Sequence, residues 1–167
     1  ETPQNKGESL WKMLDDNCWI KIVAKSFIGI FGYQSIAMSN KIYYSYFFIW
    51  LIGGIGCILK FKELFFYKCE EKNKYLLNYI FVIAIIIPIV LSIIYSYTSD
   101  FQPQGRYIMG IIVPFTYFLV SGIETVLEKF VKSEKIKKII IFMLIALVII
   151  ISFKAIFAYV MPVYKRL

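Results

Sequence analysis

The residue best placed to do chemistry is Arg106, in a short polar stretch between two long apolar blocks: Ser99, Asp100, Phe101, Gln102, Pro103, Gln104, Gly105, Arg106, Tyr107. Its guanidinium is a planar fork of donors suited to phosphate. A helix starting at this point would add unpaired N–H groups and a partial positive charge. Gly105 has no Cβ, so a bound group could come close to the backbone there. Together these make a pocket for an anion such as a lipid phosphate. The same residues also admit a plainer reading, in which Arg106 pairs with Asp100 and closes a tight loop. Lys154 is the second cation that needs a reason, because it lies inside an apolar block, where a charge is costly and often functional. Its stem can carry the ammonium to the headgroups, or the ammonium can serve near a lipid phosphate. Gln34, Tyr95 and Tyr97 fall near the same face, where tyrosines commonly act as interfacial anchors.

Other chemistries are excluded. Histidine is absent, so neither a Ser-His-Asp triad nor a Cys/His zinc site can form. Cys18, Cys57 and Cys69 are far apart and make no CxxC pair. No GxxxxGK[ST], HExxH or EF-hand pattern occurs. Asp15 and Asp16 are neighbours, and neighbours on a helix point about 100° apart, so they share no carboxylate site and read as a solvated face.

These residues are positioned by apolar blocks. The chain is 59% hydrophobic, and its apolar residues are gathered in runs rather than dispersed by period. Residues 75–99 carry no charge at all. About 20 apolar residues suffice to cross a hydrocarbon core of roughly 30 Å. The expected fold is therefore all-α, an integral membrane helical bundle of about four transmembrane helices. The spans are 42–59, 76–98, 107–123 and 139–161, in a transmembrane domain covering 42–167. Gly53, Gly54 and Gly56 suit close helix packing in the first span. Pro88 falls mid-span in the second, and Pro114 lies inside the third. Ahead of them, residues 1–41 form an amphipathic and re-entrant segment. An amphipathic helix over 10–23 lies on the membrane surface or packs on a soluble domain, and 26–38, with Gly29 and Gly32, re-enters or follows the surface.

The net charge of +8 would suggest nucleic acid in a soluble protein. Here the lysines flank the apolar blocks, so they orient the chain in the bilayer and no nucleic-acid partner is expected. Lys60, Lys62, Lys68, Lys72 and Lys74 fill one loop, and Lys129, Lys132, Lys135, Lys137 and Lys138 fill another. A four-span chain puts these loops, 60–75 and 124–138, on one side, the cytoplasm. Loop 99–106 and residues 1–41 are then extracytoplasmic. Lys165 and Arg166 argue mildly the other way. Because the first residue is Glu1, the sequence reads as the C-terminal part of a longer protein.

Gln104, Gly105, Arg106 and Tyr107, followed by an apolar run with Pro114, resemble a motif of the GT-C superfamily of membrane glycosyltransferases. Ser26, Phe27, Gly29, Phe31, Gly32 and Tyr33 are similar to a second motif. It belongs to a domain-of-unknown-function family of bacterial multi-spanning membrane proteins allied to that superfamily. The resemblance covers about 20–125, with Tyr33 where tryptophan is more usual. It implies transfer of a sugar from a polyprenyl-phosphate carrier to a cell-envelope glycan or similar acceptor, on the outer face of the bacterial cytoplasmic membrane. Arg106 would hold the donor phosphate and stabilise it electrostatically as it departs, with Gln104 and Tyr107 shaping the pocket. The acidic catalytic residue, and any divalent metal, would belong to the missing N-terminal part. No cofactor is expected in these residues. The rival readings are a transporter or flippase component for envelope precursors, and a non-catalytic membrane scaffold.

Overall fold

A computed structural model describes residues 2–31, 35–66 and 72–164. Gly32, Tyr33, Gln34, Lys68, Cys69, Lys165 and Arg166 lie outside the described residues. The elements in order are α1 (Leu10–Leu14), α2 (Trp19–Gly29), two-residue strands β1 (Ile30–Phe31) and β2 (Ile36–Ala37), α3 (Asn40–Leu59), α4 (Phe61–Phe65) and α5 (Lys72–Thr98). A 3-10 helix (Gly105–Ile111) then leads into α6 (Ile112–Phe130) and α7 (Glu134–Lys154), and a π-helical stretch (Ala155–Val160) ends in α8 (Met161–Tyr164).

Among the described residues, four stretches are long and apolar enough to cross a membrane: Asn40–Leu59, Tyr75–Thr98, Gly105–Phe130 and Glu134–Val163. Their surfaces make the same argument. α7 buries none of its residues, while Ile139, Phe142, Met143, Ile145, Ile150 and Phe153 are all more than half exposed. Each such side chain left in water forfeits roughly 1.5–3 kcal/mol. A folded domain has only about 5–15 kcal/mol in total. Water is therefore the wrong solvent for this helix, and hydrocarbon removes the penalty. Hydroxyls within or at the ends of the spans behave accordingly: Ser45, Thr98, Thr125 and Ser152 each donate to the carbonyl four residues back, at 2.9 Å.

The chain divides into two compact units. The first holds Glu1–Ile30 and Glu63–Tyr117. Its core is Met13, Trp19, Val23, Ile108 and Ile111, with Ile85, Ile89, Ile93 and Phe115 packed against it. The 3-10 helix lies against both α2 and α5. The amphipathic helix expected over 10–23 is two helices. Asp15, Asp16 and Asn17 are poor helix formers that bond locally, and Cys18 takes a left-handed conformation (φ 55°) between α1 and α2. Ser9 caps α1 by accepting from the Lys12 N–H at 3.2 Å. Asn17 and Lys12 bond the Glu8 carboxylate and hold its pKa below the ordinary carboxylate value. α2 then runs on to Gly29, through the first part of the segment expected to re-enter.

Asn78, on α5, is fully buried and clamps this unit. Its amide donates to the Leu64 carbonyl at 2.8 Å and its oxygen accepts from the Tyr117 hydroxyl at 2.9 Å. Replacing it with leucine removes both bonds. Interhelical hydrogen bonds in membranes are worth about 0.6 kcal/mol on average and ~1.7 kcal/mol at most. Asn78→Leu should therefore lower stability by about 0.6–1.7 kcal/mol per bond lost. Thermal unfolding in detergent checks this, with Tyr79→Phe, which removes only an exposed bond to Phe65, as the milder comparison.

The second unit holds Phe31–Lys62 and Phe118–Leu167. Here α3 and α6 meet at glycine. An added Cβ on Gly56 would lie 1.8 Å from the Gly122 carbonyl oxygen, and one on Gly122 would lie 1.9 Å from that of Gly53. The Cys57 thiol donates to the Phe118 carbonyl at 3.0 Å beside this crossing. Tyr43 is 1% exposed, and its hydroxyl accepts from the Met38 N–H at 3.1 Å, fixing the entry into α3.

Candidate functional site

The site begins with the way α5 ends and α6 starts. α5 runs unbroken through Pro88. Proline brings no N–H, so the helix lacks one backbone bond there. Ser92 and Ser96 lie four and eight residues on, on the same face. Both are buried, at 6% and 1% exposure, and neither hydroxyl has a partner among the described residues. They differ in this from the four hydroxyls that bond their own helix. Pro88, Leu91, Ser92 and Tyr95 of α5, with Tyr107, line a cavity of about 500 Å³. The Tyr95 and Tyr107 rings sit 6.3 Å apart at its polar end.

Arg106 and Tyr107 lie in the 3-10 helix, not at the start of an α-helix. The α-helix begins only at Ile112, so Pro114 falls in its first turn, where a missing N–H costs little. The anion-binding contribution expected from an α-helix N-terminus beside Arg106 is accordingly absent. The expected direct ion pair between Arg106 and Asp100 is not formed either. Instead the Arg106 Nη2 donates to the Tyr107 hydroxyl at 3.0 Å, with the guanidinium 5.0 Å from the Tyr107 ring centroid. The Tyr107 hydroxyl donates to Gln102 Oε1, and Gln102 Nε2 donates to Asp100 Oδ2. Arg106, Tyr107 and Asp100 are exposed, and Arg106 has no carboxylate partner among the described residues. The guanidinium is thus stacked and oriented by Tyr107 with donors still open to an anion.

Gly105 does something other than make room for a ligand. An added Cβ would lie 2.2 Å from the Phe27 nitrogen, 2.5 Å from the Phe27 Cα and 2.6 Å from the Ser26 carbonyl carbon. The α2 backbone fills that space. The 26–29 and 104–107 stretches therefore meet backbone to backbone, and Phe27 adds an edge-on contact to Phe115 at 5.9 Å. Gln104, half-buried, precedes the 3-10 helix with its carbonyl accepting from the Tyr107 N–H at 3.2 Å. Gly29 is buried at the end of α2.

Lys154 belongs to the second unit, exposed at the last residue of α7, where the helix passes into its π-helical stretch. Tyr97 is no simple anchor: its hydroxyl donates to the Glu8 carbonyl at 3.0 Å and its carbonyl accepts from the Gln4 N–H at 3.3 Å. Sequence reasoning missed Ser92 and Gln102. A serine four residues after a mid-span proline was the available signal for Ser92. Among the described residues, no three His, Cys, Asp or Glu side chains gather as metal ligands. Comparison with protein-family models, with curated proteins and with solved structures finds no match to this chain, so the residues above are what its function is read from.

Proposed function

We propose that the cavity beside α5 and the guanidinium of Arg106 form one site for a lipid with an anionic headgroup. The apolar chain lies along Pro88, Leu91 and Ser92, and the phosphate meets Arg106 beyond Tyr107. The observation that carries this reading is an exposed arginine, oriented by Tyr107 and without a carboxylate partner among the described residues, next to an apolar cavity lined by Pro88, Leu91, Ser92, Tyr95 and Tyr107. We propose further, on the motif resemblance, that the whole protein transfers a sugar from a polyprenyl-phosphate carrier to a cell-envelope acceptor. The lysines of 60–75 and 124–138 support placing Arg106 on the outer face of a bacterial cytoplasmic membrane.

Arg106→Ala tests this. Loss of a charge-assisted, bidentate phosphate contact is worth roughly 1.5–3 kcal/mol, or about 10- to 150-fold in affinity. Binding of a fluorescent long-chain isoprenyl phosphate to the detergent-solubilised protein should weaken by that much, and sugar transfer in membranes should stop, with protein abundance unchanged. Undiminished binding and transfer would take Arg106 out of the site.

The relay from Arg106 through Tyr107 and Gln102 to Asp100 favours one other reading, a non-catalytic scaffold whose loop is locked by these bonds. In that case Arg106→Ala would lower the unfolding temperature and leave lipid binding as it was.

A further inference from the structure

One side of helices α1 and α2 is packed: Met13, Trp19 and Val23 are 0%, 3% and 5% exposed, in a core shared with Ile108 and Ile111 of the 3-10 helix. Outside that packed side, Trp11 is 77% exposed, Ile20 58% and Leu10 40%. Lone exposed apolar residues need no explanation. A tryptophan and two aliphatics on one 20-residue segment, whose other side already has a protein partner, do need one.

The depth of the segment supplies it. Tyr97 is the penultimate residue of the span Tyr75–Thr98. It holds the segment twice, through the Glu8 carbonyl at 3.0 Å and the Gln4 N–H at 3.3 Å. Leu10 and Trp11 follow Glu8 by two and three residues, so the chain places their backbone within about 10 Å of that anchor. The polar layer on each side of a bilayer is roughly 5–8 Å thick. Trp11 is thus tethered within reach of the headgroup layer. The exposed flank of α5 next to Tyr97 is itself lipid-facing in character, with Leu91, Ile94 and Tyr95 all about half exposed.

We propose that α1 and α2 lie in the headgroup layer as an interfacial cap, with Trp11 and Ile20 inserted among the lipids and Lys12 and Lys21 near the phosphates. Tryptophan is favoured at this depth because its ring is apolar and its N–H finds water or an ester oxygen. Exposed lysines add attraction to anionic lipid. The cap lies against the 3-10 helix that carries Arg106, so it would make the lipid surface, not a soluble domain, the roof beside the candidate site. This goes beyond the lipid-phosphate reading and holds or fails without it.

The test uses the full chain, as native protein and as Trp11→Phe, reconstituted in phosphatidylcholine vesicles containing a quarter phosphatidylglycerol. The native-minus-variant emission difference reports the Trp11 indole alone. That difference should be blue-shifted from the emission of tryptophan in water. It should lose most of its intensity to lipids spin-labelled near the headgroup and little to aqueous acrylamide. Full quenching by acrylamide with indifference to the labelled lipids would overturn the proposal, and is the result expected of a face kept for a soluble partner. Trp11 is exposed, so Trp11→Phe should fold as the native chain does. An unchanged unfolding temperature confirms that the difference spectrum reads position.

Discussion

Gly105→Ala should be among the most damaging single-methyl additions to this chain. The new Cβ would stand 2.2 Å from the Phe27 nitrogen, and its nearest neighbours are all α2 backbone rather than the end of a flexible side chain. Nothing there can rotate away, so α2 and the 3-10 helix must separate. Overpacking a core costs about 1–3 kcal/mol when side chains can adjust; with backbone as the obstacle, about 3 kcal/mol or more is expected. The comparison lies in the same helix, because a Cβ on Gly110 meets nothing within 4 Å. Thermal unfolding in detergent, followed by tryptophan fluorescence, should show a large drop for Gly105→Ala and none for Gly110→Ala. The separation would also shift Arg106 and Tyr107, so lipid binding should fall with stability. Equal unfolding temperatures for the two variants would mean that the 26–29 and 104–107 stretches do not meet as described.

The second large effect is at the glycine crossing of α3 and α6. Lipid tails are as apolar as leucine, so helices in a membrane associate through close contact and backbone approach more than through hydrophobic exclusion. An alanine at Gly122 puts a methyl 1.9 Å from the Gly53 carbonyl oxygen, and one at Gly56 puts it 1.8 Å from the Gly122 oxygen. Either methyl drives the helices apart and also loosens the Cys57 contact to Phe118. Each should cost about 3 kcal/mol or more. Gly54→Ala, whose Cβ meets nothing, should be neutral or slightly stabilising. Denaturant titration in mixed micelles would separate them, and a Gly122→Ala chain as stable as Gly54→Ala would refute the crossing.

These two sites show what the sequence discloses and what it withholds. The spans were legible because hydrocarbon imposes composition directly: an uncharged run such as 75–99 has few other solutions. Gly53 and Gly56 were legible as small residues in such a run, but not that Gly54 faces open space, which depends on the rotation of α3 against its neighbour. The third span begins near Arg106 as expected, but its first turns are 3-10, because a run of apolar residues looks the same whether it is wound as a 3-10 or an α-helix. The break between α1 and α2 was written in Asp15, Asp16 and Asn17, yet the apolar spacing across it masked the signal. At the candidate site, Arg106 and Tyr107 stood out by residue type. The role of Gly105 did not, because its neighbour is some 80 residues away along the chain and only the fold brings them together. Gln102 escaped notice for a similar reason, since its two bonds depend on a loop conformation that side-chain identity does not encode.

The account depends on α6 carrying the chain across a bilayer, with the Arg106 end and the lysine-rich end on opposite faces. Ser99 and Ser133 are both exposed and flank that stretch. With Cys18, Cys57 and Cys69 replaced by serine, single variants Ser99→Cys and Ser133→Cys can be treated with a membrane-impermeant maleimide in intact cells. The expected result is labelling of Ser99→Cys from outside and of Ser133→Cys only after the membrane is opened. Equal labelling of both without opening the membrane would contradict it.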